Sequence, residues 1–223
     1  DIDSPTGTYG IPEFGTSFTR KMLEETKPTT FSDLVKISGL SHGTDVWTGN
    51  AQDLINEGIC NISNVIGCRD NIMNDLIRFG VDSALSFKIM ESVRKGRGLP
   101  DGAEEEMTAA GVPEWYIDSC KKIKYLFPKA HAVAYVTMAV RIAWFKVYHP
   151  LAFYAAYFYR RSQKGGFDAV LMTKGMDTVM ANIEAIDNNE NATDKDQDLL
   201  TTLEVVYEFY LRGFTFHPIN FFT

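Results

Sequence analysis

The chain has 223 residues, 45% hydrophobic and 13% aromatic, enough to bury a core as one large domain or two small ones. No uncharged apolar run approaches the roughly 20 residues a bilayer-spanning helix needs, and the N-terminus lacks the basic and apolar regions of a signal peptide, so the expected location is cytoplasmic. The formal charge is −7, yet residues 120–167 carry nine Lys or Arg and no Asp or Glu, which leaves the remainder at −16 and points to a polyanionic ligand.

Apolar spacing at i, i+3, i+4 recurs along the chain and sustained alternation is nearly absent, so the expected class is all-α, an irregular set of helices. Residues 16–25 form a first helix. Thr30 caps a second, with Asp33 three residues on as a variant capping box and Gly39 as its end. Residues 38–45, with two glycines and several small polar side chains, read as a loop holding Ser41 and His42. Helices follow at 50–57 and 70–79, the latter stopped by Gly80, and from Asp82 or Ser83 to about Lys95, with Gly96 at its end. An acidic helix spans 102–110, and Pro113 opens another that ends near Phe127. The longest helix runs 131–148, closed by Pro150, which starts 151–161. Beyond Lys164 lie helices at 176–187 and 194–211, then one short strand at 215–222. The domain reading is a helical core at 1–164 with the basic surface and a helical C-terminal part at 165–223.

Lys129 and His131 stand at the start of the longest helix, where unpaired N–H groups and the helix dipole favour an anion. The alternation of Ala130, Ala132 and Ala134 leaves room for a flat group, and Tyr135, one turn after His131, offers a ring. Lys121, Lys122 and Lys124 form one basic run, and Arg94, Lys95 and Arg97 crowd a helix exit, where phosphate contact and simple capping are equally good readings. Arg69 opens a helix against the macrodipole, so a partner is expected for it: Asp70, Asp75 or a ligand. Arg141, Lys146, Arg160 and Arg161 extend the basic face, while Trp144, Phe145, Phe153, Tyr154, Tyr157 and Phe158 read as core. Three cysteines in no metal spacing read as free thiols in a reducing compartment, and Glu104 to Glu106 as an acidic first turn, so no metal site is expected.

The segments 10–15, 22–31, 38–47, 66–70, 88–96 and 127–135 together closely resemble the PolC-type DNA polymerase III alpha subunit of low-GC Gram-positive bacteria, densely from about 10 to 159. The resemblance implies a piece of a longer polypeptide: the helical fingers domain that closes over template, primer end and incoming dNTP. It puts Lys129, His131 and Tyr135 at the nucleotide pocket, Arg69 and the Arg94/Lys95 pair near triphosphate or template backbone, and Ser41 with His42 near the nascent base pair. Arg97, Lys121, Lys122 and Lys124 then serve DNA phosphates. Val133, Arg97 and Trp144 depart modestly from the family pattern. The Mg²⁺-binding palm carboxylates have no counterpart here, so this piece alone is expected to be inactive. The implied partners are primer-template DNA, dNTP, the palm and thumb of the same polypeptide, and a sliding clamp bound through other regions. The rival reading is a stand-alone helical nucleic-acid-binding module; attachment to a membrane surface is disfavoured because the apolar helix face is needed for the core.

Overall fold

The computed structural model describes residues 4–218. Among them are α1 Ser17–Thr26, α2 Phe31–His42, a π turn Trp47–Ala51, α3 Gln52–Asn56, α4 Arg69–Phe79, α5 Ser83–Arg94, α6 Ala103–Ala109, α7 Glu114–Lys122, α8 Lys129–Tyr148, α9 Pro150–Gln163, α10 Ala169–Met172, α11 Met176–Asp187 and α12 Asp194–Leu211. The fold is all-α. Among the described residues the nearest thing to a sheet is one isolated antiparallel bridge, Thr44 with Tyr125. The strand expected at 215–222 does not form at 215–218, and its remainder lies outside the described residues. No described helix is long and apolar enough to cross a membrane.

Among the described residues, packing groups 17–138 as one unit and 4–16 with 139–218 as a second. In the first unit, Met22, Ile37, Leu40, Ile66, Ile72, Leu76, Ile89, Met107, Ile123 and Leu126 form the buried core. Thr30 Oγ accepts from the Asp33 N–H while Asp33 accepts from the Thr30 N–H at 3.0 Å, the reciprocal cap expected of α2. α2 does not stop at Gly39. It continues through Ser41 and His42 to Gly43, so the expected loop is largely helix. Gly39 serves instead a close crossing: a Cβ there would stand 3.0 Å from the Gly67 carbonyl carbon and nearer still to its oxygen.

α7 also departs from expectation, ending at Lys122 with Ile123 extended rather than near Phe127. The Thr44 carbonyl accepts from the Lys124 and Tyr125 N–H groups at 3.1 and 3.3 Å, and Thr44 N–H donates back to the Tyr125 carbonyl at 3.0 Å. Those amides are thereby withdrawn from the helix. Asn50 in the π turn bonds Ser119 of α7, with Oγ to Oδ1 at 2.6 Å, and so fixes α7 against the segment that follows α2.

In the second unit Phe153, Tyr154, Phe158 and Phe209 are buried and meet Phe214 and Phe216 in an aromatic core. Tyr157 is half-buried. Trp144 and Phe145, expected inside, are each 49% exposed, because the turns of α8 that carry them bury Lys146 instead. Its ammonium donates to the Gly7 and Tyr9 carbonyls at 2.9 and 2.6 Å and sits 2.7 Å from Glu208. Glu208 also accepts from the Tyr154 hydroxyl. Burial lowers the Lys146 pKa, opposed by Glu208, and raises that of Tyr154, reinforced by Glu208. α10, absent from the sequence reading, is a single turn capped by Asp168.

Candidate nucleotide and nucleic-acid interface

The end of α2, the extended residues after α7 and the start of α8 meet within the first unit. A carbonyl oxygen only accepts, so His42 must carry its proton on Nδ1, which donates to Ser38 O at 2.8 Å. Ser41 Oγ donates to the same carbonyl at 3.0 Å. The His42 ring stacks on Phe127 at 5.1 Å, Phe127 meets His131 at 5.0 Å, and His131 meets Tyr135 at 4.7 Å. His131 and Tyr135, one turn apart, share a face of α8, and Phe127, just before the helix, continues the ladder to the His42 ring of α2. His131 and Tyr135 remain exposed.

Lys129 is exposed at the foot of this ladder and makes no ion pair with a described residue. Its backbone N–H donates to Asp70 Oδ2 at 3.1 Å. The helix start is therefore not an open set of amides: a carboxylate from α4 occupies one of them. Neither Lys129 nor Arg69 holds an ion pair among the described residues, and the Asp70 carboxylate is an opposing charge at this helix start. The partner that helix position demanded of Arg69 is thus not a described carboxylate.

Gly96 brings the second basic cluster to the first. With φ of 68° it turns the chain after α5, and a Cβ on it would lie 2.6 Å from the Lys124 carbonyl oxygen. The Arg94–Arg97 turn thus lies against Lys124. Not all of these cations are available: Arg94 and Lys95 both hold Glu91, Lys95 at 3.2 Å, and hydrogen bonds from Arg94 followed by Lys95 draw the Glu91 pKa down to about 2. Lys121 holds Glu104 at 2.7 Å and Asp118 at 3.6 Å, and Lys122 donates to the Gly49 carbonyl at 3.0 Å. Arg97 and Lys124 have no such side-chain partner among the described residues.

The nine cations of 120–167 accordingly do not form one bare wall. Lys121, Lys146 and Arg161 are neutralised by acids outside the stretch, Arg161 by Asp198 at 2.8 Å, and Arg160 donates to Gln163. Four of the nine belong to the first packing unit and five to the second. Acids distant in sequence fold back onto the run, which a linear charge count does not register.

A family model described as "Bacterial DNA polymerase III alpha subunit finger domain" matches residues 4–112. The chain is 59% identical over 223 residues to DNA polymerase III PolC-type of Listeria innocua, 58% over 220 residues to that of Pediococcus pentosaceus and 59% over 222 residues to that of Bacillus subtilis. The chain belongs to the PolC-type DNA polymerase III family. These alignments cover 100%, 98% and 99% of this chain but 15% of each relative's length. Ser41, His42, Arg69, Arg94, Lys95 and Arg97 fall inside the finger-domain match, whereas Lys129, His131 and Tyr135 lie beyond it, in the part the full-length PolC alignments still cover. Among the described residues no group of three His, Cys, Asp or Glu side chains converges to hold a metal ion.

Sequence reasoning missed Phe127 and Asp70. The recurrence of rings at 127, 131 and 135 was a legible signal for Phe127; nothing local ties Asp70 to a backbone amide 59 residues away. The three thiols are unpaired, Cys68 and Cys120 buried, and burial raises the pKa of each.

Proposed function

We propose that this chain is the fingers element of a DNA-directed DNA polymerase and that the His42, Phe127, His131, Tyr135 ladder with Lys129 receives the incoming dNTP. The observation that carries the reading is the joining of stacked rings to a lysine with no carboxylate of its own, at the mouth of a 20-residue helix, in a chain 59% identical to PolC-type polymerases. Lys129 and Arg69 meet phosphate oxygens, where a charged contact contributes about 1.5–3 kcal/mol. His131 and Tyr135 bound the base and sugar, and Ser41 with His42 lies on the side of the pairing base. Arg97 and Lys124 track the DNA backbone. Arg94, Lys95, Lys121 and Lys122 flank that path and join it by exchanging their present partners for phosphate.

Nucleotidyl transfer itself is assigned to carboxylates elsewhere in the longer polypeptide, where Mg²⁺ supplies the activation of the primer hydroxyl and the stabilisation of the leaving pyrophosphate. This chain's own residues bind and orient. Primer-template DNA, the palm and thumb of the same polypeptide and, through other regions, a sliding clamp complete the set of partners in a cytoplasmic replication assembly. The stand-alone module is disfavoured because the relatives carry this segment as 15% of a longer chain.

The test is Lys129→Ala in the full-length polymerase with each of the four nucleotides. Loss of one charged phosphate contact lowers kcat/KM by roughly 10- to 100-fold for all four. Unaltered constants for every nucleotide remove Lys129 from the pocket.

A further inference from the structure

The second half of α8 exposes an aromatic and aliphatic surface that the nucleotide reading does not use. Phe145, Trp144, Val147, Tyr148 and, at the start of α9, Leu151 are between 49% and 64% exposed. The rings touch one another: Trp144 meets Phe145 at 5.2 Å, Tyr148 at 5.0 Å and His149 at 5.2 Å. They form one patch rather than scattered side chains, and patches of this kind mark interaction surfaces.

What covers the patch follows from its chemistry. A nucleic-acid strand needs cations for its phosphates and ring faces for its bases. Lys146, which lies in the midst of the patch residues in sequence, is turned inward onto Glu208, leaving Arg141 as the outward cation of residues 139–148, and Val147 and Leu151 provide no ring. That composition suits a protein surface. In the relatives this segment is 15% of the polypeptide, so most of the family chain lies outside it. A segment tethered in the same polypeptide acts at an effective concentration on the order of millimolar, which favours it over a second copy.

We infer that the Trp144, Phe145, Val147, Tyr148 and Leu151 face is an internal docking surface covered by an apolar segment of the longer family polypeptide. The inference rests on family membership and is independent of the nucleotide pocket, so Lys129 can fail its test while the docking surface stands. The experiment is hydroxyl-radical footprinting of the DNA-free full-length polypeptide over a dilution series. Buried Trp47 and Tyr116 serve as protected references and Tyr125, 44% exposed, as the open one. The expected result is that Trp144, Tyr148 and Leu151 lose reactivity to the level of Trp47 and Tyr116 at every protein concentration. Oxidation of the three at the rate of Tyr125 overturns the inference. So does protection that disappears on dilution, which assigns the face to a second copy, and so does protection that arises only on adding primer-template, which assigns it to nucleic acid.

Discussion

Replacing Gly39 by alanine separates two physical accounts of the same residue. In an unobstructed helix interior the change stabilises by about 0.5–1 kcal/mol, because glycine gives up the most backbone freedom on folding. Gly39 is inside α2, yet its Cβ would stand 3.0 Å from the Gly67 carbonyl carbon and closer to the oxygen. Both are backbone atoms of the short run that leads into α4, next to buried Ile66 and Cys68, so relief requires moving α2 or that run as a body. Overpacking of this type costs about 1–3 kcal/mol, and the propensity gain offsets no more than about 1 kcal/mol of it. The net expectation is a loss of about 1–2 kcal/mol, or about 2–8 °C in Tm for a chain of this size. Thermal and urea denaturation followed by circular dichroism measure it. A Tm that is unchanged or higher refutes the close crossing and restores glycine as a mere helix-weakening residue.

Glu208→Ala leaves the Lys146 ammonium buried with two carbonyls and no carboxylate, and breaking such a pair destabilises by about 3–5 kcal/mol near pH 7. Burial lowers the folded-state Lys146 pKa and Glu208 opposes it, so removing Glu208 lowers that pKa further; the variant's deficit is full below its own folded pKa and shrinks as pH rises from there to the wild-type folded pKa, and a deficit that stays equal in urea titrations taken up to the ordinary lysine range would contradict the assignment. Glu91, held by Arg94 and Lys95, titrates with a midpoint about 2, and its pairing is complete above the ordinary carboxylate range and lost only as pH falls through that midpoint. A carboxyl ¹³C titration centred near 4.5 would show the pairs absent in solution. Glu91→Gln releases both cations, so DNA binding by the full-length polymerase strengthens and its log–log salt slope steepens by up to about 0.9 per phosphate gained; an unaltered slope removes Arg94 and Lys95 from the DNA path.

Much of the fold was legible because its signals are local. The reciprocal bonds of Thr30 with Asp33, the Asp82 cap of α5, the left-handed Gly80 after α4 and proline at the start of α9 depend on residues within a few positions, so α4, α5, α9, α11 and α12 fall close to where their sequences put them. The misreadings share a different cause. Gly39 fits a helix end equally well by sequence, and its role is set by Gly67; α7 stops at Lys122 because Thr44, 80 residues away, binds the Lys124 N–H.

The residues of the candidate site divide in the same way. His131 and Tyr135 share a helix face by spacing alone, and Lys129 precedes them by sequence alone, so the chain's own order determined that a ring pair and a cation would stand together. Only the tertiary structure decided that His42 would join them through Phe127, that Asp70 would take the Lys129 amide, and which cations would keep their charge unmatched. Backbone periodicity and capping act over one or two turns and are written in neighbouring residues, whereas a carboxylate finds its lysine through the fold, and no local spacing records which one it will meet.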